Sequence, residues 1–158
     1  LAELEASDPN IVRRQIGIVD SWGNVAAYSG KVAKGFSGHV LGEQFVAMGN
    51  AVVSEAVVGD MARAMQERAA DDLGERLMAA IEAGGAAGGQ EEGQFSGAIQ
   101  IFGAEPFAEL DLRVDYHQNA IAELRRIYDW FKPLVPYYLE RVKNPYIERE
   151  DRWRARHV

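Results

Sequence analysis

Apolar and polar residues alternate in the first third of the chain, and glycine-containing turns interrupt the alternation. A Gly23-Asn24 pair separates two apolar-rich segments, which is typical of a β-hairpin. A second turn follows at Gly49-Asn50, after two shorter apolar runs. The pattern predicts strands at residues 13–20, 25–30, 40–41 and 45–48.

The apolar spacing changes to the 3.6-residue period of a helix after Ser54, a suitable first capping residue. A second helix begins after Asp71 or Asp72. It is predicted to end at Gly84-Gly85, because glycine commonly stops a helix. The segment 84–93 is rich in glycine and acidic residues, and it leads into a predicted strand at 94–102.

Charged and apolar residues alternate again at 110–115, which predicts another strand. A helix follows from Asn119, and Pro133 ends or kinks it. Strands, two helices, two strands and further helices indicate an α+β fold with a mostly antiparallel sheet. We divide the chain into a domain at 1–132 and a helical extension with a charged tail at 133–158.

The composition excludes several classes of protein. The chain has 158 residues, 17 Lys plus Arg against 24 Asp plus Glu, a net charge of -7 and no cysteine. This acidity argues against nucleic-acid binding, and the absence of cysteine excludes thiol chemistry and cysteine zinc sites. No apolar run approaches the roughly 20 residues that span a bilayer. We expect a cytoplasmic protein with neither a nucleic-acid nor a membrane partner.

The first six residues, 1–6, have the pattern of a helix that ends before Pro9. Isolated helices below about 12 residues are marginal in water. We therefore expect the natural chain to continue upstream of Leu1.

Several segments carry a family resemblance. They are Arg14-Gln15, Val19-Asp20, Gly49-Asn50, Gly84 to Gly89, Gln94 to Ser96, Asp111 to His117 and Ile121 to Arg126. Together they are similar to the domain of unknown function 1028 family, a branch of the Ntn (N-terminal nucleophile) hydrolase-like proteins. The resemblance covers residues 3–130 and corresponds to the C-terminal two thirds of the family's domain.

The resemblance implies a four-layer αββα sandwich of Ntn-hydrolase type, of which this chain is an incomplete part. It also implies hydrolysis of a C–N amide bond in a small molecule, without a cofactor. The nucleophile would lie in an N-terminal segment of the same protein, since Leu1 has no hydroxyl or thiol. The sequence departs from the family at Gln90 and Glu92, which replace an Asp and an Arg, and at Asn119-Ala120, which replaces a Pro.

The predicted strand at 110–115 carries candidate site residues on one face: Asp111, Arg113, Asp115 and, if the strand extends, His117. Arg113 could bind a substrate carboxylate, while Asp115 or His117 moves protons. The same residues could instead form a solvated, salt-bridged strand face. A third alternative is a divalent cation bound by Asp111, Asp115 and His117.

Candidates for acyl-transfer chemistry lie elsewhere. Asn50 could donate to a developing oxyanion, or it could simply belong to a turn. Gln94 and Ser96 share one strand face and could bind a ligand, although structural roles are the alternative. His39 could be a general base or an ordinary loop histidine.

Two functions remain open. The first is an Ntn-like amidohydrolase. The second is a noncatalytic binding or oligomerisation module that retains the fold, with its aromatic C-terminal residues forming a homo-oligomer interface. Those aromatic residues are Tyr128, Trp130, Phe131, Tyr137, Tyr138, Tyr146 and Trp153.

Overall fold

The protein folds as two hairpins beneath a helix pair, followed by a third hairpin with further helices. The structure is a computed structural model that describes residues 1–31 and 34–158. Its strands are β1 (Gln15–Val19), β2 (Val25–Ser29), β3 (Phe36–Gly42), β4 (Phe45–Val52), β5 (Gly97–Phe102) and β6 (Ala108–Val114). Its α-helices are α1 (Ala2–Ser7), α2 (Glu55–Glu67), α3 (Leu73–Ala86), α4 (Ala120–Phe131), α5 (Val135–Lys143) and α6 (Glu150–His157).

Contacts divide the chain into two compact units, Leu1–Gln94 and Phe95–Val158. Each unit builds its own antiparallel pairs, β1 with β2 and β3 with β4 in the first, and β5 with β6 in the second. The predicted α+β class is therefore confirmed. The domain boundary placed at residue 132 lies inside the second unit.

In the first unit the two hairpins face each other closely. A Cβ placed on Gly17 of β1 would lie 2.8 Å from Met48 Sδ and 3.3 Å from Val46 Cγ1 of β4. Those distances leave no room for a larger side chain at this position. Glycine at residue 17 thus allows the two hairpins to approach.

The opposite face of β4 is covered by helices. Because strand side chains alternate, Val46 and Met48 face the first hairpin while their neighbours face the other way. Those neighbours pack in an apolar cluster with α2 and α3, formed by Phe45, Ala47, Ala62, Met65 and Ala80. The first unit is therefore layered as hairpin, hairpin and helix pair.

Helix α3 ends at Ala86, one residue beyond the predicted stop at Gly84-Gly85. Gly84 is buried, and a Cβ there would lie 2.7 Å from Met61 Cγ, so this glycine serves close helix packing. The start is confirmed, with the Asp72 side chain accepting a hydrogen bond from Glu75 N at 3.0 Å. The chain reverses only at Gly88, which has a φ of 110°.

In the second unit α4 packs on β5 and β6. The buried side chains of this layer are Ile99, Leu110, Val114, Ala120, Leu124 and Tyr128. Strand β6 ends at Val114, so the predicted extension of the strand to His117 is wrong. Because the chain bends at Asp115, the period-two rule that would align Asp115 and His117 with Arg113 no longer applies.

The charged tail forms helix α6, which packs against α5. The Trp153 ring lies 5.5 Å from the Tyr137 ring, and Tyr138 Oη donates to Glu150 Oε2 at 2.7 Å. These contacts hold the tail against α5. Among residues 1–31 and 34–158, no helix has both the length and the apolar character needed to cross a bilayer.

We predict opposite effects for two glycine-to-alanine changes. Gly30 is buried, and a Cβ there would lie 2.3 Å from the carbonyl oxygen of Val12, so Gly30→Ala should lower the free energy of unfolding by about 1–3 kcal/mol. Gly59 in α2 has open space around it, so Gly59→Ala should raise it by about 0.5–1 kcal/mol. Urea unfolding measures both, and equal effects would contradict this packing.

We predict that Asp20 makes stability depend on acid pH. Its carboxylate accepts from Asn24 Nδ2 at 2.7 Å and from the backbone N of Asn24 and Trp22, and the Asn24 side chain foremost lowers the pKa of Asp20. A lowered folded-state pKa means that this stabilisation is present above the ordinary value of about 3.9 and is lost as the pH falls through the folded value. Urea unfolding between pH 6 and pH 2 should show a smaller acid loss for Asp20→Asn.

The matched control is Asp71→Asn, which removes a surface carboxylate that pairs with Arg68 at 3.0 Å. It should keep the wild-type acid profile. The same profile for Asp20→Asn would disprove the role of Asp20.

Candidate functional site

The Gln15 side chain joins the two hairpins of the first unit. Its Nε2 lies 2.9 Å from the carbonyl oxygens of both Gly38 and Gly49, two residues that pair with each other across β3 and β4. A carboxamide has two N–H hydrogens, so it can donate one to each carbonyl. This contact fixes the orientation of the Gln15 amide, because the reverse orientation would place its oxygen against two carbonyl oxygens.

Ser29 and His39 meet beside this amide. Ser29 pairs with Gln15 across β1 and β2, and its Oγ lies 3.0 Å from Gln15 Nε2 and 2.9 Å from His39 Nδ1. Because Gln15 Nε2 can only donate, Ser29 Oγ accepts from it, and the hydroxyl hydrogen of Ser29 is available to His39 Nδ1 when the imidazole proton is on Nε2. A hydroxyl that donates to a neutral imidazole has the geometry for proton removal.

Asn50 completes the arrangement. Its Nδ2 donates to Gln15 Oε1 at 3.0 Å, and its side chain is exposed. Within residues 1–31 and 34–158 the second N–H of this amide has no protein acceptor. We refer to Gln15, Ser29, His39 and Asn50 as the polar cluster.

The backbone after Asn50 is held in an uncommon conformation. Ala51 has a φ of 53°, a left-handed conformation that costs a non-glycine residue roughly 1–2 kcal/mol. Two hydrogen bonds from the turn after α3 secure it, Glu91 N to Ala51 O at 3.3 Å and Val53 N to Gly89 O at 3.0 Å. This turn therefore sets the direction of the chain where β4 ends and Asn50 is presented.

Gln94 supports the same turn. A Cβ on Gly89 would lie 2.0 Å from Gln94 Nε2, so the Gln94 side chain lies directly against the glycine backbone. Gln94 is partly buried, whereas Ser96, in the second unit, is exposed. The two predicted ligand-binding residues thus have different environments.

The predicted charged residues of the second unit are exposed. Arg113 Nε lies 3.3 Å from Asp115 Oδ1, and the two side chains are 72% and 81% exposed, which makes this a solvent-screened ion pair. His117 Nδ1 instead accepts from Asn119 N at 3.1 Å. Among the described residues, no three His, Asp or Glu side chains, including the set Asp111, Asp115 and His117, are arranged to hold a metal ion.

Asp111 contacts different groups from those of the Arg113–Asp115 ion pair. Its Oδ2 accepts from Gln100 Nε2 at 3.1 Å. It also borders an open groove of about 550 Å³ lined mainly by Phe107, Glu109, Phe131, Tyr138 and Arg141. The rings of Phe131 and Tyr138 stack at 5.5 Å in this groove.

Gln15 and Ser29 were not selected as site residues from the sequence, although a signal for their pairing exists. The hairpin pairs Val19 with Val25, and counting outward from its turn places Gln15 opposite Ser29. The partner hairpin carries no such signal, because local periodicity does not predict which hairpins face each other. His39 lies in strand β3 rather than in a loop.

Comparison with known proteins identifies the family. Residues 1–124 match a family of unknown function, DUF1028. The chain belongs to the DUF1028 family. The sequence-based resemblance to this family is confirmed at that level, and no curated protein matches the chain.

A solved structure agrees with this DUF1028 assignment. The crystal structure of protein SPO2555 from Silicibacter pomeroyi, also of family DUF1028, is similar with a TM-score of 0.70 and 29% sequence identity. The match covers 83% of this chain and 58% of that chain. The DUF1028 chain described here thus spans less than two thirds of that protein's length.

We predict that Gln15 stabilises the hairpin packing. Gln15→Ala leaves the carbonyls of Gly38 and Gly49 without this donor, so the free energy of unfolding should fall by about 1–3 kcal/mol. Gln100→Ala is the matched control, because the exposed Gln100 side chain donates to the exposed side chain of Asp111, and it should change stability by less than about 0.5 kcal/mol. Urea unfolding distinguishes the two, and equal losses would show that Gln15 does not join the hairpins.

Proposed function

We propose that this chain forms part of an Ntn-like amidohydrolase that cleaves a C–N amide bond of a small molecule. The observation that carries the proposal is the polar cluster. It brings a hydroxyl, an imidazole and two carboxamides into one hydrogen-bonded group. These are the groups that acyl transfer requires: a proton acceptor and fixed N–H donors for a developing oxyanion.

Asn50 is the proposed oxyanion donor. Gln15 Oε1 accepts one of its amide hydrogens and so fixes the plane of the group, while the other hydrogen makes no hydrogen bond to the protein groups that the structure describes. A donor whose orientation is set before the reaction stabilises the transition state without reorganisation. The exposure of Asn50 leaves this N–H accessible to a substrate.

A separate part of the proposal concerns the other residues predicted from the sequence. Arg113 and Asp111, with Gln94 and Ser96, are assigned to substrate binding, and Asp115 and His117 to proton movement. The exposure of Arg113 and Asp115 supports their access to a ligand. Their weak ion pair costs little to replace with a ligand carboxylate.

The proposal also includes the four-layer αββα sandwich and the protein partners of this chain. The order of hairpin, hairpin and helix pair in the first unit supports three of those layers. The fourth layer and the superfamily nucleophile would come from an N-terminal segment of the same protein. We further propose a cytoplasmic homo-oligomer.

A noncatalytic binding or oligomerisation module is the second candidate. Exposed apolar side chains of the second unit favour it, since Trp130, Val142 and Tyr146 are 50%, 65% and 94% exposed. Aromatic side chains are enriched in protein interfaces. This candidate predicts self-association without amide hydrolysis.

We predict that Asn50→Ala lowers amide hydrolysis by about 100- to 1000-fold in kcat, the usual effect of removing one oxyanion donor. Amine release from a panel of small primary and secondary amides measures this rate. Asn10→Ala is the matched control, because exposed Asn10 makes a hydrogen bond through its backbone N at 2.7 Å rather than through its side chain. The control should retain the wild-type rate.

Wild-type protein that hydrolyses no amide in the panel would refute the hydrolase proposal and favour the binding module. Equal rates for wild type and Asn50→Ala would refute the role of Asn50 alone. Thermal unfolding of each variant confirms that a loss of rate does not come from a loss of fold.

A further inference from the structure

We infer that Ser29 is a catalytic nucleophile and that His39 is its general base. This inference rests on the proposed amidohydrolase function and deepens it, because it assigns the attacking atom. It places the nucleophile in this chain, in place of the upstream nucleophile proposed above, and keeps the amide substrate class. The structural basis is the 2.9 Å contact between Ser29 Oγ and His39 Nδ1.

The backbone of Ser29 is firmly positioned. Ser29 ends β2, and the next residue, Gly30, donates its N–H to Arg14 O at 2.8 Å. Gly30 is buried so tightly that even a Cβ would overlap the carbonyl of Val12. The chain on both sides of Ser29 is therefore fixed, and its side chain shares the face of its strand partner Gln15.

His39 reaches Ser29 from the second hairpin. It pairs with Met48 across β3 and β4, and Met48 lies against Gly17 of the first hairpin. Because the two hairpins pack face to face, the His39 imidazole reaches Ser29. Within the part of the chain that the structure describes, Ser29 is the one serine that is hydrogen-bonded to a histidine ring.

The proton positions suit nucleophilic attack. In the His39 tautomer that carries its proton on Nε2, the Ser29 hydroxyl donates to Nδ1 while Ser29 Oγ accepts from Gln15 Nε2. Gln15 Nε2 lies 3.0 Å from Ser29 Oγ, so one of its two N–H groups is shared between this oxygen and a carbonyl of the second hairpin. It stabilises negative charge on that oxygen as the proton leaves, because a donor to the charged form favours ionisation.

The first half-reaction forms an ester on the enzyme. Ser29 Oγ attacks the acyl carbon of the amide while its proton moves to His39 Nδ1. The carbonyl electron pair moves onto oxygen, where the second N–H of Asn50 donates to it. When the carbonyl re-forms, the C–N bond breaks, and the leaving nitrogen takes the bond's electron pair and the proton from His39.

The second half-reaction restores the enzyme. A water molecule attacks the ester carbon and gives a proton to His39 Nδ1. The bond to Ser29 Oγ breaks, and Oγ takes that proton from His39. The net change is amide plus water to carboxylic acid plus amine, with no oxidant, reductant or metal consumed.

A fluorophosphonate probe tests the nucleophile directly, because it phosphonylates an activated serine and adds a fixed mass. Intact mass spectrometry of the purified protein should show one added group, and peptide mapping should place it on Ser29. Ser29→Ala should lose the label. His39→Ala should label at least about 100-fold more slowly, since a general base contributes that much or more. Ser37→Ala, a serine on the same strand as His39, is the matched control and should label like wild type.

A second variant keeps the test valid if the probe does not fit the site. The chain has no cysteine, so Ser29→Cys creates a single thiol whose alkylation by iodoacetamide follows its thiolate fraction. The thiol of Ser29→Cys should be alkylated at least about 10-fold faster than the thiol of Ser37→Cys. In the double variant Ser29→Cys with His39→Ala, the alkylation rate should fall to that of Ser37→Cys. Equal alkylation rates together with an absence of label on wild-type Ser29 would overturn the inference.

The outcomes separate this inference from the proposed function. Amide hydrolysis that persists in Ser29→Ala overturns the assignment of Ser29 and leaves the amidohydrolase proposal standing, with a nucleophile elsewhere. Labelling of Ser29 without any amide hydrolysis supports the nucleophile and overturns the amide substrate class. Labelling confined to another residue overturns the inference as well.

Discussion

The hydrogen bonds of the Gln15 carboxamide are the interaction on which the first unit depends. Its Nε2 reaches two carbonyls of the second hairpin, and its Oε1 accepts from Asn50. Each hydrogen bond of this kind contributes about 0.5–1.5 kcal/mol to stability. Because the plane of the amide is fixed by four groups, it also sets where Ser29 and Asn50 lie.

The packing around this amide explains why the polar cluster forms where it does. Gly17 lets the hairpins approach on one side, while Phe45 and Ala47 bury the other side of β4 against the helices. The second hairpin is thus held between two layers. The uncommon backbone at Ala51, secured by the turn after α3, then directs Asn50 outward at the strand end. Rigid strands on both sides give the cluster a defined geometry.

The two units offer different chemistry. The polar cluster joins a hydroxyl, an imidazole and two carboxamides by hydrogen bonds, which suits proton transfer and oxyanion binding. Arg113 and Asp115 of the second unit are exposed and pair with each other, which suits recognition of a charged group. Family DUF1028 has no described function, so the cluster itself, rather than the family, carries the case for hydrolysis.

The sequence by itself determined the α+β class, the hairpin turn at Gly23-Asn24 and the start of α3 after Asp71 or Asp72, because these depend on residues close together in the chain. Tertiary structure decided the rest. Gly84 stays helical because α2 packs against it, which outweighs its local tendency to end a helix. The contact of Ser29 with His39 joins two separate hairpins, and no periodicity along the chain specifies how two hairpins face each other.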